Sequence, residues 1–350
     1  MSTIDFGRPT RIFRLFDGRL TFRLDMRALS LVSIMLAIAF VVTLIVLSSG
    51  EYPVPVADIF AALIGQAEGR IHMVVVEWRL PRALLALILG AALGMSGAIF
   101  QSLTRNPLGS PDVIGFNSGA YTGALIVIIG FSGNYYQVAG GALIGGVVTA
   151  LAVYLLAWRR GVEGFRLIIV GIGVSAMLTS LNTWMMLRAD LEVAMAAAVW
   201  GAGSLNGLGL DKFWPTLLVL GVFMPAALIL SRPMKQLEMG DDAARALGVM
   251  VEPVRLTLLL LGVALTATAT AVAGPIAFVS LAAPQIARRV TGAAGVAMAP
   301  SAAMGALLLA VADLLAQRAF APTQLPVGVV TVSIGGIYFV WLLVREARRQ

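Results

Sequence analysis

Two arginines flank a proline at the start of a long apolar run, and they are the first residues of this chain that could bind a partner. Arg79 and Arg82 stand on either side of Pro81, close to Glu77. Guanidinium groups pair well with carboxylates, so the two arginines could hold an acidic protein surface. Arginines at the end of an apolar helix also lay their stems along it and keep the charge in water. Both interpretations stay open from the residues alone.

A second group of charges lies in the longest polar segment, residues 232–255. Within it, residues 239–248 predict a short helix, because Asp241 and Asp242 suit the positive end of the helix dipole and Gly248 suits the helix end. Such a helix could dock onto another protein. A solvated loop is an equally good interpretation of the same residues.

Asp313 is the clearest charge inside an apolar run, LLLAVADLLAQ. A carboxylate in such a run could bind a coupling ion, as in transporters that ion gradients drive. It could instead make a structural hydrogen bond near the end of its helix, which is the interpretation we favour. One isolated carboxylate is a thin basis for ion coupling, so we expect the driving energy to come from elsewhere.

Composition excludes several other kinds of chemistry. The chain has no cysteine and one histidine, His72, so thiolates and a second imidazole are missing and we expect no metal site. Its two lysines, Lys212 and Lys235, do not follow a glycine, so the phosphate-binding GxxxxGK[ST] loop is absent. We therefore expect no cofactor on this chain. No interleaving of basic and aromatic residues predicts a nucleic-acid surface.

The elements that position these residues are predicted to be membrane-spanning helices. The chain is 59% hydrophobic and 12% charged, whereas a soluble domain has about 25% charged residues. Apolar windows long enough to cross a bilayer lie at 29–49, 82–102, 112–132, 137–157, 166–187, 213–231, 254–273, 276–287, 296–317 and 326–344. The eighth is short enough to be tilted, broken or re-entrant. The predicted fold class is an all-α polytopic membrane protein with about ten spans.

Positive charges predict the orientation of these spans. With both termini in the cytoplasm, 19 of the 25 Lys and Arg residues fall in cytoplasmic segments and six in outer segments. Cytoplasmic loops of membrane proteins are enriched in basic residues, so this orientation is expected. Residues 1–28 are then a basic cytoplasmic segment rather than a cleaved signal, 29–345 the membrane domain, and 346–350 a cytoplasmic tail.

Six motifs resemble those of one known family. They are RLPR at 79–82, GAALGMSGAIFQ at 90–101, NPLGSPDVIGFNSGA at 106–120, LEMGDDAARALGV at 237–249, GPIAFVSLAAPQIAR at 274–288 and LPVGVVTVSIGGIYF at 325–339. From about residue 30 onward the chain resembles the FecCD family of permeases, the membrane subunits of ATP-binding-cassette (ABC) importers for iron–siderophores, haem and vitamin B12. Within the family, EWRLPR, QSLTRNPLGSPDVIGFN and LEMGDD are most similar to ferric-enterobactin permeases.

The resemblance implies the type II importer fold, that of the vitamin B12 importer, and a bacterial inner-membrane assembly surrounded by lipid. Its members would be this chain, a second homologous permease, two copies of an ATPase that binds ATP and Mg, and a periplasmic siderophore-binding protein. The chain would be no enzyme, and its cargo would be a ferric siderophore, ferric enterobactin first. Another iron chelate, haem or vitamin B12 are alternatives, and an ion-coupled secondary transporter is the alternative from a different class.

The resemblance also assigns roles to residues. Arg79 and Arg82 match arginines that meet carboxylates of the binding protein, and a further family arginine falls at Gln317, next to Arg318. Residues 239–248 match a coupling helix that fits a groove on the ATPase, through Gly240, Asp241, Asp242, Ala244, Arg245, Leu247 and Gly248. Gly164 and Phe165 match the position of a cytoplasmic gate but not the Thr-Ser pair that forms it elsewhere.

Four further residues are expected to line the transport pathway, on position only. They are Asn182, Trp184, Trp200 and Asn206. Amide and aromatic groups suit an anionic catecholate complex, because strong cationic sites would hold it too tightly to release. Ordinary helix packing is the commoner role for each of the four.

Overall fold

The computed structural model describes residues 10–15, 20–158 and 164–347, which are almost entirely helical. In chain order the elements are β1 (Thr10–Leu15), β2 (Leu20–Asp25), α1 (Met26–Ser48), α2 (Val56–Leu63), α3 (Arg70–His72), α4 (Leu80–Thr104), α5 (Phe116–Phe131), α6 (Tyr135–Ala157), α7 (Gly164–Arg188), α8 (Leu191–Gly201), α9 (Leu210–Ile229), α10 (Ser231–Glu238), α11 (Asp241–Ala246), α12 (Val251–Ala273), α13 (Val279–Thr291), α14 (Met298–Arg318) and α15 (Val327–Ala347). A π-helical stretch, Met73–Arg79, joins α3 to α4.

Each of the ten predicted spans coincides with a helix. Among the described residues, seven helical stretches are long and apolar enough to cross a membrane. The other three predicted spans are α5, with 16 residues, α13, with 13 residues, and α15. α5 begins four residues later than expected because Gly115, with φ of 92°, interrupts the helix before Phe116.

Small residues bring the central helix α4 into backbone contact with α14. A side chain at Gly90 would strike the carbonyl group of Gly305, and one at Gly94 would strike that of Ser301. The pairing of 90 with 305 and 94 with 301 shows that the two helices run antiparallel. Glycine-rich faces of this kind allow helices to pack closely in lipid, where burial of apolar surface alone gives little driving force.

The helical structure is interrupted between α12 and α13, and we name residues 274–278 the break. Residues 274–278 are not helical, and Phe278 has φ of 69°, which is strained for a residue with a bulky side chain. The eighth predicted span is therefore a short helix preceded by an extended stretch. Non-helical backbone at membrane depth is tolerated where protein or a water-filled cavity covers it.

The basic segment before α1 contains a hairpin that we did not predict. β1 pairs with β2 in an antiparallel ladder, with Thr10 opposite Asp25 and Leu15 opposite Leu20. Asp25 then caps α1 by accepting hydrogen bonds from the N–H groups of Arg27 and Ala28. The hairpin thus leads into the first long helix without a linker.

Candidate functional site

The first region of interest lies where α4 begins. We name it the Arg79 rim, and its residues are Leu47, Tyr52, Arg79, Arg82, Asp313, Gln317, Arg318 and Gln324. The Arg79 guanidinium donates hydrogen bonds to the carbonyl groups of Leu47 and Tyr52, each at 2.7 Å. Gly50 lies against this guanidinium and leaves no room for a side chain. Arg79 therefore ties the loop after α1 to the start of α4.

Arg82 forms a buried ion pair with Asp313. Its Nη2 lies 2.8 Å from Asp313 Oδ1, and its Nη1 donates to Gln324 Oε1 at 2.7 Å. Asp313 is 1% exposed and Arg82 is 9% exposed. This geometry supports the structural interpretation of Asp313, because the carboxylate holds α14 to α4 and has a positive partner of its own.

Two neighbouring residues complete this rim. Gln317, at the position of the further family arginine, donates from Nε2 to Asp313 Oδ2 at 2.8 Å. Arg318 is exposed and close enough to interact electrostatically with Arg79. Docking through Arg79, Arg82 and Arg318 stays a prediction. The structure adds that Arg79 and Arg82 already have partners within the chain, so the side chain most accessible to another protein is that of Arg318.

The second region lies at the other end of α4, about 38 Å away for 25 helical residues. We name it the α11 rim, and its residues are Arg105, Leu237, Asp241, Leu247 and Arg255. Asp241 accepts hydrogen bonds from Arg105 Nη2 at 2.7 Å and from Arg255 Nη2 at 2.8 Å. Arg105 also donates to the carbonyl group of Leu237. One carboxylate thus joins α11 to α12 and to the end of α4.

These contacts also set the protonation state of Asp241. Burial by itself would raise the pKa of this carboxyl group. The hydrogen bonds and positive charges of Arg255 and Arg105 outweigh that effect and hold the pKa below its ordinary value. Asp241 is therefore a carboxylate near neutral pH.

The residues predicted to couple to an ATPase form a helix that is anchored on one side and exposed on the other. α11 is preceded by Gly240, with φ of 114°, and followed by Gly248, with φ of 85°. Ala244 is buried, and Arg245 pairs with the exposed Asp242 at 2.9 Å. Leu247 is 55% exposed, together with two more exposed apolar side chains on either side of α11, Met239 and Met250. We name these three residues the apolar patch.

A polar cavity of about 420 Å³ lies between α5 and α7. All of its lining residues are uncharged: Asn117, Ser118, Tyr121, Thr179, Asn182, Thr183, Met186 and Pro275. Pro275 belongs to the break between α12 and α13. The α7 residues fall at positions i, i+3, i+4 and i+7 of a helix, so they share one face.

One of the four predicted pathway residues lines this cavity. Asn182 is a lining residue, and it also accepts a hydrogen bond from Thr122 Oγ1 at 2.7 Å. Trp200 stacks on Tyr121 with ring centroids 6.2 Å apart, so it supports the cavity from outside. Trp184, with Arg188 over its ring, and Asn206 do not line it. Pathway roles for all four residues stay predictions.

The two residues at the predicted gate position lie close to the α11 rim. Gly164 packs directly against the backbone of Thr104, at the end of α4, and has no room for a side chain. Phe165, next to it, is exposed. The role of either residue in gating stays a prediction.

Asp112 connects the cavity to the break, and sequence reasoning missed it. Its carboxylate accepts hydrogen bonds from the Phe278 N–H at 3.2 Å, from Ser280 Oγ at 2.6 Å and from Asn117 Nδ2 at 2.7 Å. It thereby holds the strained Phe278 and the start of α13 beside Asn117, which lines the cavity.

The part of the chain that the structure describes contains no group of three His, Cys, Asp or Glu side chains that could hold a metal ion.

Long apolar helices around an uncharged cavity, with charged rims at both ends, define a multi-pass membrane transport protein. The chain belongs to the FecCD transport family, whose model matches residues 36–345. It is 56% identical to the ferric enterobactin transport system permease protein FepG of Escherichia coli, over 87% of this chain and 92% of that protein. It is 35% identical to the iron(3+)-hydroxamate import system permease protein FhuG of Bacillus subtilis, over 89% of this chain and 97% of that protein.

A solved structure supports the same fold. It is that of a metal-chelate type ABC transporter in an inward-facing conformation, with a TM-score of 0.80 and 25% sequence identity. The match covers 90% of this chain and 99% of the other. The recognised family and the predicted fold class are thereby confirmed, with the N-terminal hairpin as the departure from an all-helical chain.

Proposed function

We propose that this chain is one of two permease subunits of an ABC importer that moves a ferric siderophore, ferric enterobactin, from the periplasm to the cytoplasm. The observation that supports this cargo is the 56% identity to FepG over most of both chains. Relatives named for hydroxamate and dicitrate complexes are 35% and 39% identical. A permease for another iron chelate is therefore the second candidate.

The cavity between α5 and α7 suits such a cargo. Hydroxyl and amide groups and the ring of Tyr121 can contact a catecholate complex by hydrogen bonds and stacking. None of the lining residues is charged, so an anionic complex meets no strong ion pair that would slow its release. A homologous permease would complete the pathway from the other side.

We place the Arg79 rim at the periplasmic surface of the inner membrane and the α11 rim in the cytoplasm, with both termini. A loaded binding protein would dock on the Arg79 rim, with Arg318 as the accessible charge. Two copies of an ATPase subunit would bind ATP and Mg, and the apolar patch would pack against one of them. The chain itself would hydrolyse no ATP.

The contacts of Asp241 suggest how nucleotide-driven motion reaches the cavity. A push on α11 is passed to α12 through Arg255, because that ion pair joins the two helices. α12 leads into the break at 274–278, which provides Pro275 to the cavity wall. Displacement of α12 would thus reshape the cavity without direct contact between ATPase and cargo.

The ion-coupled alternative has less support. It depends on Asp313 as an ion ligand, and the oxygens of Asp313 already accept hydrogen bonds from Arg82 and Gln317. An ion would have to displace both donors. A structural role needs no such rearrangement.

Uptake of radioactive iron tests the proposal. Cells of the source organism that lack this chain are compared with complemented cells, using ferric enterobactin, a ferric hydroxamate, ferric dicitrate and haem. We expect ferric enterobactin uptake to be lost and restored, with the other three unaffected. Loss confined to a different chelate would move the cargo to the second candidate, and no loss with any of them would contradict the proposal.

A further inference from the structure

A second, smaller pocket opens beside α11 at the α11 rim. Its volume is about 230 Å³, and it lies between α10, the end of α4 and the segment that follows α13. Its lining includes three charged residues, Glu238, Arg105 and Arg288. Glu238 is the last residue of α10, directly before Met239 of the apolar patch. The pocket therefore adjoins the surface on which we place the ATPase.

Glu238 has an acceptor that nothing in the described chain satisfies. Its Oε1 is buried and has no hydrogen-bond partner among the described residues. A buried acceptor without a donor is unfavourable, and more so when it is charged. A donor that reaches this atom would therefore be stabilising.

Three side-chain donors that line the pocket are already bound to other acceptors. Arg105 donates to Asp241 and to Leu237. Gln101 donates from Nε2 to the carbonyl group of Leu281, and Gln285 donates to that of Pro107. Of the charged donors that line the pocket, Arg288 remains, and its side chain lies in an exposed position at the end of α13.

We infer that this pocket receives a lysine or arginine side chain of the ATPase subunit, which donates to Glu238. The inference rests on the proposed function. A cationic donor fits because a charge-assisted hydrogen bond to a carboxylate is stronger than a hydrogen bond from a neutral donor. The pocket would thus fix the position and orientation of the ATPase on the permease. The apolar patch would add contact area, but apolar contacts have little directional preference.

Single cysteines give a direct test, because the natural chain has none. Glu238→Cys reports on the pocket, Leu247→Cys reports on the apolar patch, and Glu192→Cys, on α8, is the control away from both. Each variant of the assembled permease pair is treated with a small charged thiol reagent, with and without the ATPase subunits. A parallel series measures ATPase binding to Glu238→Gln, with Glu192→Gln as its matched control.

We expect the ATPase to abolish labelling at positions 238 and 247 but not at 192, and Glu238→Gln to weaken ATPase binding by about tenfold, since charge-assisted bonds are roughly twice as strong as neutral ones. Protection at 247 with unchanged labelling at 238 would overturn the inference and leave the proposed function intact. Labelling unchanged at both positions would contradict the proposed assembly itself.

Two further outcomes concern the unbound permease. If the thiol of the Glu238→Cys variant is unreactive there and becomes reactive when Arg288→Ala is added, Arg288 fills the pocket and the inference fails. If that thiol is unreactive with and without Arg288→Ala, the Gln series decides, and unchanged ATPase affinity of Glu238→Gln overturns the inference.

Discussion

The Arg79 rim and the α11 rim both contain arginines bound to aspartates, but they use them differently. At the Arg79 rim, Arg82 and Asp313 are buried together and fasten α4 to α14. At the α11 rim, Arg105 and Arg255 converge on Asp241 at the protein surface, and the neighbouring Leu247 stays exposed. The first arrangement stabilises the bundle. The second holds a small helix in place and leaves apolar surface free.

The difference shows that charged residues do not indicate a binding surface by themselves, because those of both rims have partners within the chain. What distinguishes the α11 rim is the exposed apolar side chain of Leu247. The sequence predicts docking by Arg79 and Arg82 because they fall in an outer segment, where basic residues are few, and match docking arginines of the FecCD family. In the structure both guanidinium groups have acceptors within the chain. Four substitutions test this difference between the two rims.

The largest effect is expected at the buried ion pair. Asp313→Ala leaves the charge of Arg82 buried without its carboxylate partner, which typically costs about 3–5 kcal/mol of stability. We expect little folded protein in the membrane and a clear loss of thermal stability in detergent. The double variant Arg82→Met with Asp313→Leu removes both charges and should recover much of that loss. Normal stability of Asp313→Ala would contradict a structural role for the pair.

The next effect is expected at the apolar patch. Leu247→Glu puts a charge where the ATPase is proposed to pack, and a residue buried at the centre of an interface can be worth about 2 kcal/mol or more. ATPase binding and transport should fall while the permease remains folded. Ile64→Glu, at an exposed position after α2, is the matched control and should behave as wild type. Equal behaviour of the two variants would remove the distinction between the rims.

A smaller effect is expected at Asp241. Asp241→Asn keeps the size of the side chain but weakens its bonds to Arg105 and Arg255, at a cost of about 1–2 kcal/mol. Because the folded protein lowers the pKa of this group, its contribution is present above the ordinary aspartate value and is lost as pH falls through the folded pKa. Thermal melting should separate wild type from variant at pH 7, and the gap should close below about pH 4. A gap that persists in acid would show that the ion pairs are not its cause.

The smallest effect is expected at Arg318. Its charge is exposed, so Arg318→Glu should weaken docking of the binding protein by about 1 kcal/mol or less and mainly slow association. Binding kinetics at low and high salt measure this, and the difference from wild type should shrink as salt rises. A large effect that salt does not change would mean that Arg318 is buried in the docked complex.

Much of the fold could be predicted from the sequence, because a bilayer requires long apolar runs and each such run is local. The ten windows therefore coincide with helices. The start of α5 was misplaced because Gly115 acts through its backbone angle and leaves hydropathy unchanged. The hairpin was missed although its strands are rich in Ile, Phe and Thr and the sequence between them contains Asp17-Gly18, a dipeptide typical of hairpin connections.

The site was harder to predict because its contacts join distant residues. Arg82 and Asp313 are 231 positions apart, and Asp112 reaches Ser280 across 168, so no local pattern links them. The polar face of α7 was readable from its helical spacing, with Thr179, Asn182 and Thr183 on one side. Trp184, which we chose on position only, does not belong to that face and does not line the cavity.

Transport in reconstituted vesicles is the most direct test of the proposal that this chain is a subunit of an ATP-driven importer. The permease pair with its ATPase is placed in liposomes and supplied with binding protein loaded with ferric enterobactin. We predict that iron accumulates when ATP is present on the ATPase side, and that Leu247→Glu strongly reduces this accumulation. Accumulation by this chain alone, driven by an ion gradient without ATP, would contradict the proposal and show an ion-coupled transporter.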